Sequence, residues 1–236
     1  MFFYPGYFNP MYFVFALPAL LLAMYAQWRV KSAYAKYSQV ANATGMTGAE
    51  TARRLLDAAG LYNVGIERIP GDLTDHYDPG AKVLRLSDSN YSSYSVAAIG
   101  VTAHEVGHAI QDATAYTPMR ARTALVPVAG LGSNLGYILF ILGFFIHAFG
   151  LATLGLVLFS AAALFAAVTL PVEFNASNRA MHLLEENGLV TVQDAGMARK
   201  VLDAAALTYV AGLAQALSQV LYFAFLLSGM GGRRRD

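Results

Sequence analysis

The chain has 236 residues, of which 56% are hydrophobic and only 13% charged, which excludes an ordinary soluble domain, where about a quarter carry charge. A formal net charge of +1 offers no electrostatic footprint for nucleic acid. The absence of cysteine excludes a disulfide framework and any thiolate ligand or nucleophile, so a metal must be held by histidine and carboxylate.

In chain order, residues 1–28 contain no Asp, Glu, Lys or Arg, and Pro10–Trp28 is long enough for one membrane span. No Lys or Arg precedes it, so it lacks the basic start of a cleaved signal peptide. Tyr4, Tyr7, Phe8 and Tyr12 at one end and Trp28 at the other read as aromatic belts around a retained span. Residues 32–43 continue this helix. Thr47-Gly48-Ala49-Glu50 is a capping box that opens a further helix, with Gly60 as its stop. Val64–Ile69 and Val83–Leu86 read as strands, and Asp78-Pro79-Gly80 as a turn. Lys82–Leu86 offers a sheet edge to an extended substrate or, equally, a buried strand.

Ser92–Ser95 supplies caps for a helix from Val96 to Gln111, which carries His104-Glu105-Val106-Gly107-His108. On a helix the two imidazoles lie one turn apart on one face, where they can grip one metal ion. Glu105 can then reach a water on that metal, so the pattern points to zinc-assisted hydrolysis of a peptide bond. The apolar run before the motif is too short to cross a bilayer, which favours a buried core helix of a polar lobe. Gly100 and Gly107 weaken the helix and point to a close neighbour.

Residues 123–172 are again free of charge and hold two spans, Leu125–Ile146 and Leu151–Val172, joined at His147-Ala148-Phe149-Gly150. Residues 204–232 hold a weaker fourth, Leu207–Leu227, interrupted by Gln215, Ser218 and Gln219. Arg29, Lys31, Lys36, Arg120 and Arg122 flank the spans and place residues 29–122 in the cytoplasm, although Arg233–Arg235 disagree if the fourth span crosses.

A catalytic zinc site uses three protein ligands and keeps one position for water. His147 falls at the far membrane face and His182 on a solvated helix, whereas His76, in a loop, remains a candidate. Glu173 is the stronger one. It is the first charge after the hairpin, and Ala176, Ser177 and Ala180 share its face of the helix, a small-residue stripe suited to close approach. His182 lies about 180° away on that helix.

These residues resemble the membrane-bound neutral zinc metallopeptidases of the YugP type, relatives of the membrane heat-shock and CAAX-prenyl metalloproteases. The matching segments are Leu73-Thr74-Asp75-His76-Tyr77-Asp78-Pro79, Ala103–Gln111 around the motif, and Pro171-Val172-Glu173-Phe174-Asn175-Ala176-Ser177. The resemblance implies a gluzincin-like site with His104, His108 and Glu173 as ligands to one Zn2+ per chain and Glu105 as the catalytic base. Related proteases often carry an Asp where Ser177 stands, so a hydroxyl would replace a carboxylate behind a ligand histidine. Asn175, two residues from Glu173, should face away from the metal. An oxyanion donor is also needed, and His76, Tyr77 and Arg179 are the candidates.

The expected fold is mainly α and integral to the membrane, about four transmembrane helices with a small α+β zincin-like cytoplasmic lobe. Its divisions are 1–28 (N-terminus and span one), 29–122 (catalytic lobe), 123–172 (hairpin), 173–203 (helical segment with the third ligand) and 204–236 (fourth helix and basic tail). The expected function is a multi-pass plasma-membrane zinc metalloendopeptidase acting on polypeptides, membrane proteins among them. A scaffold that keeps a zinc site without turnover is the competing reading. A transporter has little support, since the spans lack ionisable residues.

Overall fold

The computed structural model describes residues 10–232, so Tyr4, Tyr7, Phe8 and Arg233–Arg235 lie outside the described residues. The chain runs α1 (Pro10–Tyr37), α2 (Gly48–Ala58), β1 (Gly65–Ile69), β2 (His76–Asp78), β3 (Val83–Ser87), α3 (Asp88–Tyr91), α4 (Val96–Ala113), α5 (Thr117–Phe145), α6 (Phe149–Glu186) and α7 (Val192–Gly232). Among the described residues, α1, α5, α6 and α7 are long and apolar enough to cross a membrane. The fold is therefore mainly helical, with four candidate spans and one small mixed sheet.

Two compact units share these elements. One holds residues 10–25, 121–169 and 209–232 of the described chain, the other residues 26–120 and 170–208. In the first, Phe140 and Phe223 stack with ring centroids 4.0 Å apart, next to buried Ala152. Ser218, one of the polar interruptions of the fourth span, donates its hydroxyl to the Phe15 carbonyl at 2.5 Å. That carbonyl lies beside the turn of α1 that Pro18 deprives of an N–H. A polar group in the span thus has a backbone partner.

In the second unit, β1 pairs parallel with β3 and β2 pairs antiparallel with it, in the order β1-β3-β2. This corrects the edge reading of Lys82–Leu86, since β3 is the central strand with both sides paired. Leu84 and Leu86 alternate inward into a core with Leu55, Leu56, Val96, Val106, Val172 and Leu184. The edges are β1 and β2, and β2 begins at His76, so His76 is a strand residue.

The capping box at Thr47 forms as read: Glu50 N–H bonds the Thr47 hydroxyl, and the Glu50 carboxylate accepts the Thr47 N–H at 2.8 Å. Gly60 follows α2 with φ +72°, a conformation only glycine adopts without strain. The helix expected through residue 43 stops at Tyr37. Beyond it the backbone turns to bond the strand-like lead into α4, with Asn42 N–H to Tyr94 O and Val96 N–H to Val40 O, both 2.8 Å. Helix α4 is capped by the Ser95 hydroxyl, which accepts the Ala98 N–H at 3.1 Å, and is buried around nearly its whole girth.

Candidate metal centre

Helix α4 places His104 and His108 on one face, and α6 places Glu173 opposite them. The three ligand atoms form a nearly equilateral triangle. His104 Nε2 and His108 Nε2 are 3.2 Å apart, and Glu173 Oε2 lies 3.3 Å from the first and 3.5 Å from the second. Atoms bound tetrahedrally at about 2.0–2.1 Å stand about 3.3–3.4 Å from one another, so the donor set fits zinc in spacing as well as in chemistry. Among the described residues this trio is a group of His, Cys, Asp or Glu able to hold a metal ion. Glu173 is 2% exposed and His108 7% exposed, so water competes little for the position between them.

The two helices that carry these residues also approach closely. A Cβ on Gly107 would lie 2.6 Å from the Ala176 carbonyl oxygen, closer than atoms come without something shifting. Ala176, Ser177 and Ala180, on the Glu173 face, are buried against this approach. A Cβ on Gly100 would lie 3.3 Å from the Ala198 Cβ, tighter than most side-chain contacts. Both glycines of the motif helix therefore have the close neighbours their presence implied.

The second nitrogen of each imidazole is also engaged. His104 Nδ1 lies 3.1 Å from Ser177 Oγ, and His108 Nδ1 lies 3.0 Å from Gln111 Oε1. With Nδ1 protonated and donating, each Nε2 presents its lone pair to the shared position. Gln111 is fully buried and was not among the sequence candidates. Its signal was its place three residues after His108 on the same helical face.

Glu105 is buried at 8% exposure, and its Oε2 accepts the backbone N–H of Tyr77 at 3.0 Å. Burial raises its pKa, while positive charge on His104 and His108 opposes that rise. Burial works against charge on His108, but the Glu173 and Glu105 carboxylates outweigh it and raise its pKa. The pocket thus draws cationic charge.

The oxyanion candidates fare differently. His76 is exposed, with Nδ1 2.9 Å from the Thr74 carbonyl. The Tyr77 hydroxyl donates to Asp112 at 2.8 Å, and burial together with that carboxylate pushes its pKa up, so it stays a committed donor. Arg179 donates from Nε to Asn175 Oδ1 at 2.8 Å and lies over the Tyr116 ring. The structure brings His104, His108, Glu173, Glu105 and Ser177 together. Tyr77 joins them through its main chain, and Arg179 only through Asn175. His182 lies on the exposed face of α6, paired with Glu186 at 3.0 Å.

Two matches to known proteins identify the family. The profile of a family described as "Putative neutral zinc metallopeptidase" matches residues 12–228. A relative from Bacillus subtilis (strain 168), described as "Putative membrane protease YugP", is 45% identical over 217 residues, covering 92% of this chain and 96% of the relative. No solved structure matches the chain. With a profile match along nearly its whole length and a relative of this identity and coverage, the chain belongs to the neutral zinc metallopeptidase family.

Proposed function

We propose that this metallopeptidase is an endopeptidase that cuts polypeptides, membrane proteins among them, at the cytoplasmic surface of the plasma membrane. In this reading His104, His108 and Glu173 hold one zinc ion per chain and Glu105 is the general base. The observation that supports it most is the 3.2–3.5 Å triangle of Nε2, Nε2 and Oε2, which matches the edge of a zinc tetrahedron.

Zinc held by this donor set supplies a Lewis acid that polarises a scissile carbonyl and acidifies water. The protein does the rest. The Tyr77 N–H holds Glu105 by Oε2, which leaves Oε1 to take a proton from the attacking water and later return it to the leaving amine. Burial keeps the Glu105 carboxylate poorly solvated and therefore a better base than a surface glutamate. Gln111 holds the His108 imidazole in the tautomer that binds through Nε2, and the Ser177 hydroxyl bonds the second nitrogen of His104.

The decisive variant is Glu105→Gln. It should keep one zinc per chain and lose about 10²–10⁴-fold in cleavage of unfolded casein. Full activity in that variant refutes the base assignment. Zinc binding in the wild type with no hydrolysis of any substrate would favour a scaffold.

The positive charges beside the spans support a cytoplasmic position for residues 29–122 and 173–203, with residues 1–28, 123–172 and 204–236 carrying the spans. Because the chain has no cysteine, one introduced at the exposed Tyr62 reports this directly. An impermeant maleimide should label it in inverted vesicles and leave it unlabelled in intact cells. The opposite pattern overturns the orientation.

A further inference from the structure

We infer that Gln111, Asn175 and Arg179 form a positioning relay that holds His108 in its metal-binding tautomer; the inference rests on His108 being a ligand. The relay follows from which groups can only accept and which can only donate. The Val172 main-chain carbonyl can only accept, and it lies 2.8 Å from Gln111 Nε2. At the other end the Arg179 guanidinium can only donate, and its Nε lies 2.8 Å from Asn175 Oδ1. Arg179 thus turns the Asn175 amide oxygen inward, where it accepts a second hydrogen bond from Gln111 Nε2 at 3.0 Å.

Both amide hydrogens of Gln111 are then directed at acceptors, and its Oε1 has one orientation, towards His108 Nδ1 at 3.0 Å. An amide oxygen cannot donate, so Nδ1 carries the proton and Nε2 keeps its lone pair for the metal. The reverse tautomer would set a ring lone pair against Oε1 in a fully buried site. His104 has no such constraint, because the Ser177 hydroxyl donates or accepts as the ring requires. One ligand imidazole is thereby fixed before metal arrives, and the other adapts. Arg179, a sequence candidate for contact with substrate, serves here as the anchor of the relay.

The test uses the full chain in detergent, with zinc affinity measured by chelator competition and the His108 tautomer read from ¹⁵N shifts of labelled imidazoles in the zinc-free protein. The wild type should show a protonated Nδ1 at His108. Gln111→Met, similar in volume, should lose that signature and bind zinc about 10–100-fold more weakly. Arg179→Met should shift the tautomer population and weaken zinc by a smaller factor. Because that site is only half-buried, the variant keeps the test alive if Gln111→Met fails to fold.

Wild-type zinc affinity in both variants, or a His108 Nδ1 that lacks its proton in the zinc-free wild type, overturns the relay. The ligand reading fails separately, if His108→Ala binds zinc as the wild type does.

Discussion

The two units of the molecule solve packing in opposite ways. In residues 121–169, Gly136, Gly143 and Gly155 bring α5 and α6 so close that a Cβ on any of them would strike the backbone of the other helix. Large apolar side chains there point outward, Leu131 at 74% and Val157 at 65% exposure. In residues 26–120 and 170–208 the pattern reverses: Leu55, Leu56, Leu84 and Leu86 are fully buried, and ion pairs lie at the rim. Lipid gives helices no reason to hide leucine, so small residues and backbone contact hold them, whereas water drives leucine inward. The candidate metal centre uses the same device. Gly107 against Ala176 is a backbone approach of the same kind, placed in the unit with the leucine core. That approach sets the helix separation at which His104, His108 and Glu173 bring their donor atoms to 3.2–3.5 Å of one another.

The largest expected effect breaks that contact. Gly107→Val adds a branched side chain where even a Cβ meets the Ala176 carbonyl, so α4 and α6 must part. A displacement of about 1 Å at a catalytic site costs on the order of a hundredfold, and zinc affinity and turnover should both fall by at least that. Gly143→Val should disrupt α5 and α6 by the same clash, seen as lost thermal stability in detergent. Wild-type zinc binding in Gly107→Val would show that the helices do not need this approach.

Much of this was legible in the sequence, because it rests on local patterns. The motif histidines, the charge-free stretches and the capping box depend only on spacing, and Glu173 stood out as the first charge after the hairpin. What escaped depends on pairing between distant segments. Strand β2 is three residues long and runs straight into Pro79, so it carries no alternation to read. The central position of β3 follows from its parallel pairing with β1, which local pattern does not encode. Gln111 reads as an ordinary polar helix residue until the Val172 carbonyl and Asn175, on another helix, show where its amide is held.

A second contrast sharpens the comparison on a single residue type. Leu84 is fully buried in the sheet core, and Leu84→Ala should cost about 2–5 kcal/mol by urea or thermal unfolding. Leu131→Ala should move stability by no more than about 0.5 kcal/mol, since that side chain would face lipid before and after the helices pack. Equal losses at the two positions would mean that residues 121–169 pack as a water-driven core.

The smallest effect concerns charge, which residues 123–172 lack and the turn after β2 uses. Asp78 Oδ1 accepts the Gly80 and Ala81 N–H groups at 2.9 and 3.0 Å, and Oδ2 accepts from Arg85 at 2.6 Å. Those backbone donors and the Arg85 guanidinium lower its pKa to about 2. Because the folded value is depressed below the ordinary aspartate value of about 3.9, the carboxylate stabilises the turn at neutral pH. That stabilisation is fully present above about pH 4 and is lost as pH falls through about 2. Hydrogen exchange at the Gly80 and Ala81 amides, corrected for intrinsic rates, should therefore speed up across that window in the wild type. In Asp78→Ala it should already be fast at neutral pH and show no further protection change. Amides within residues 123–145 and 149–170 should show no step in the same window, because no carboxylate lies among them. A shared acid transition in both sets would mean that protonation loosens the molecule as a whole, and the division between a charge-held turn and uncharged helices would fail.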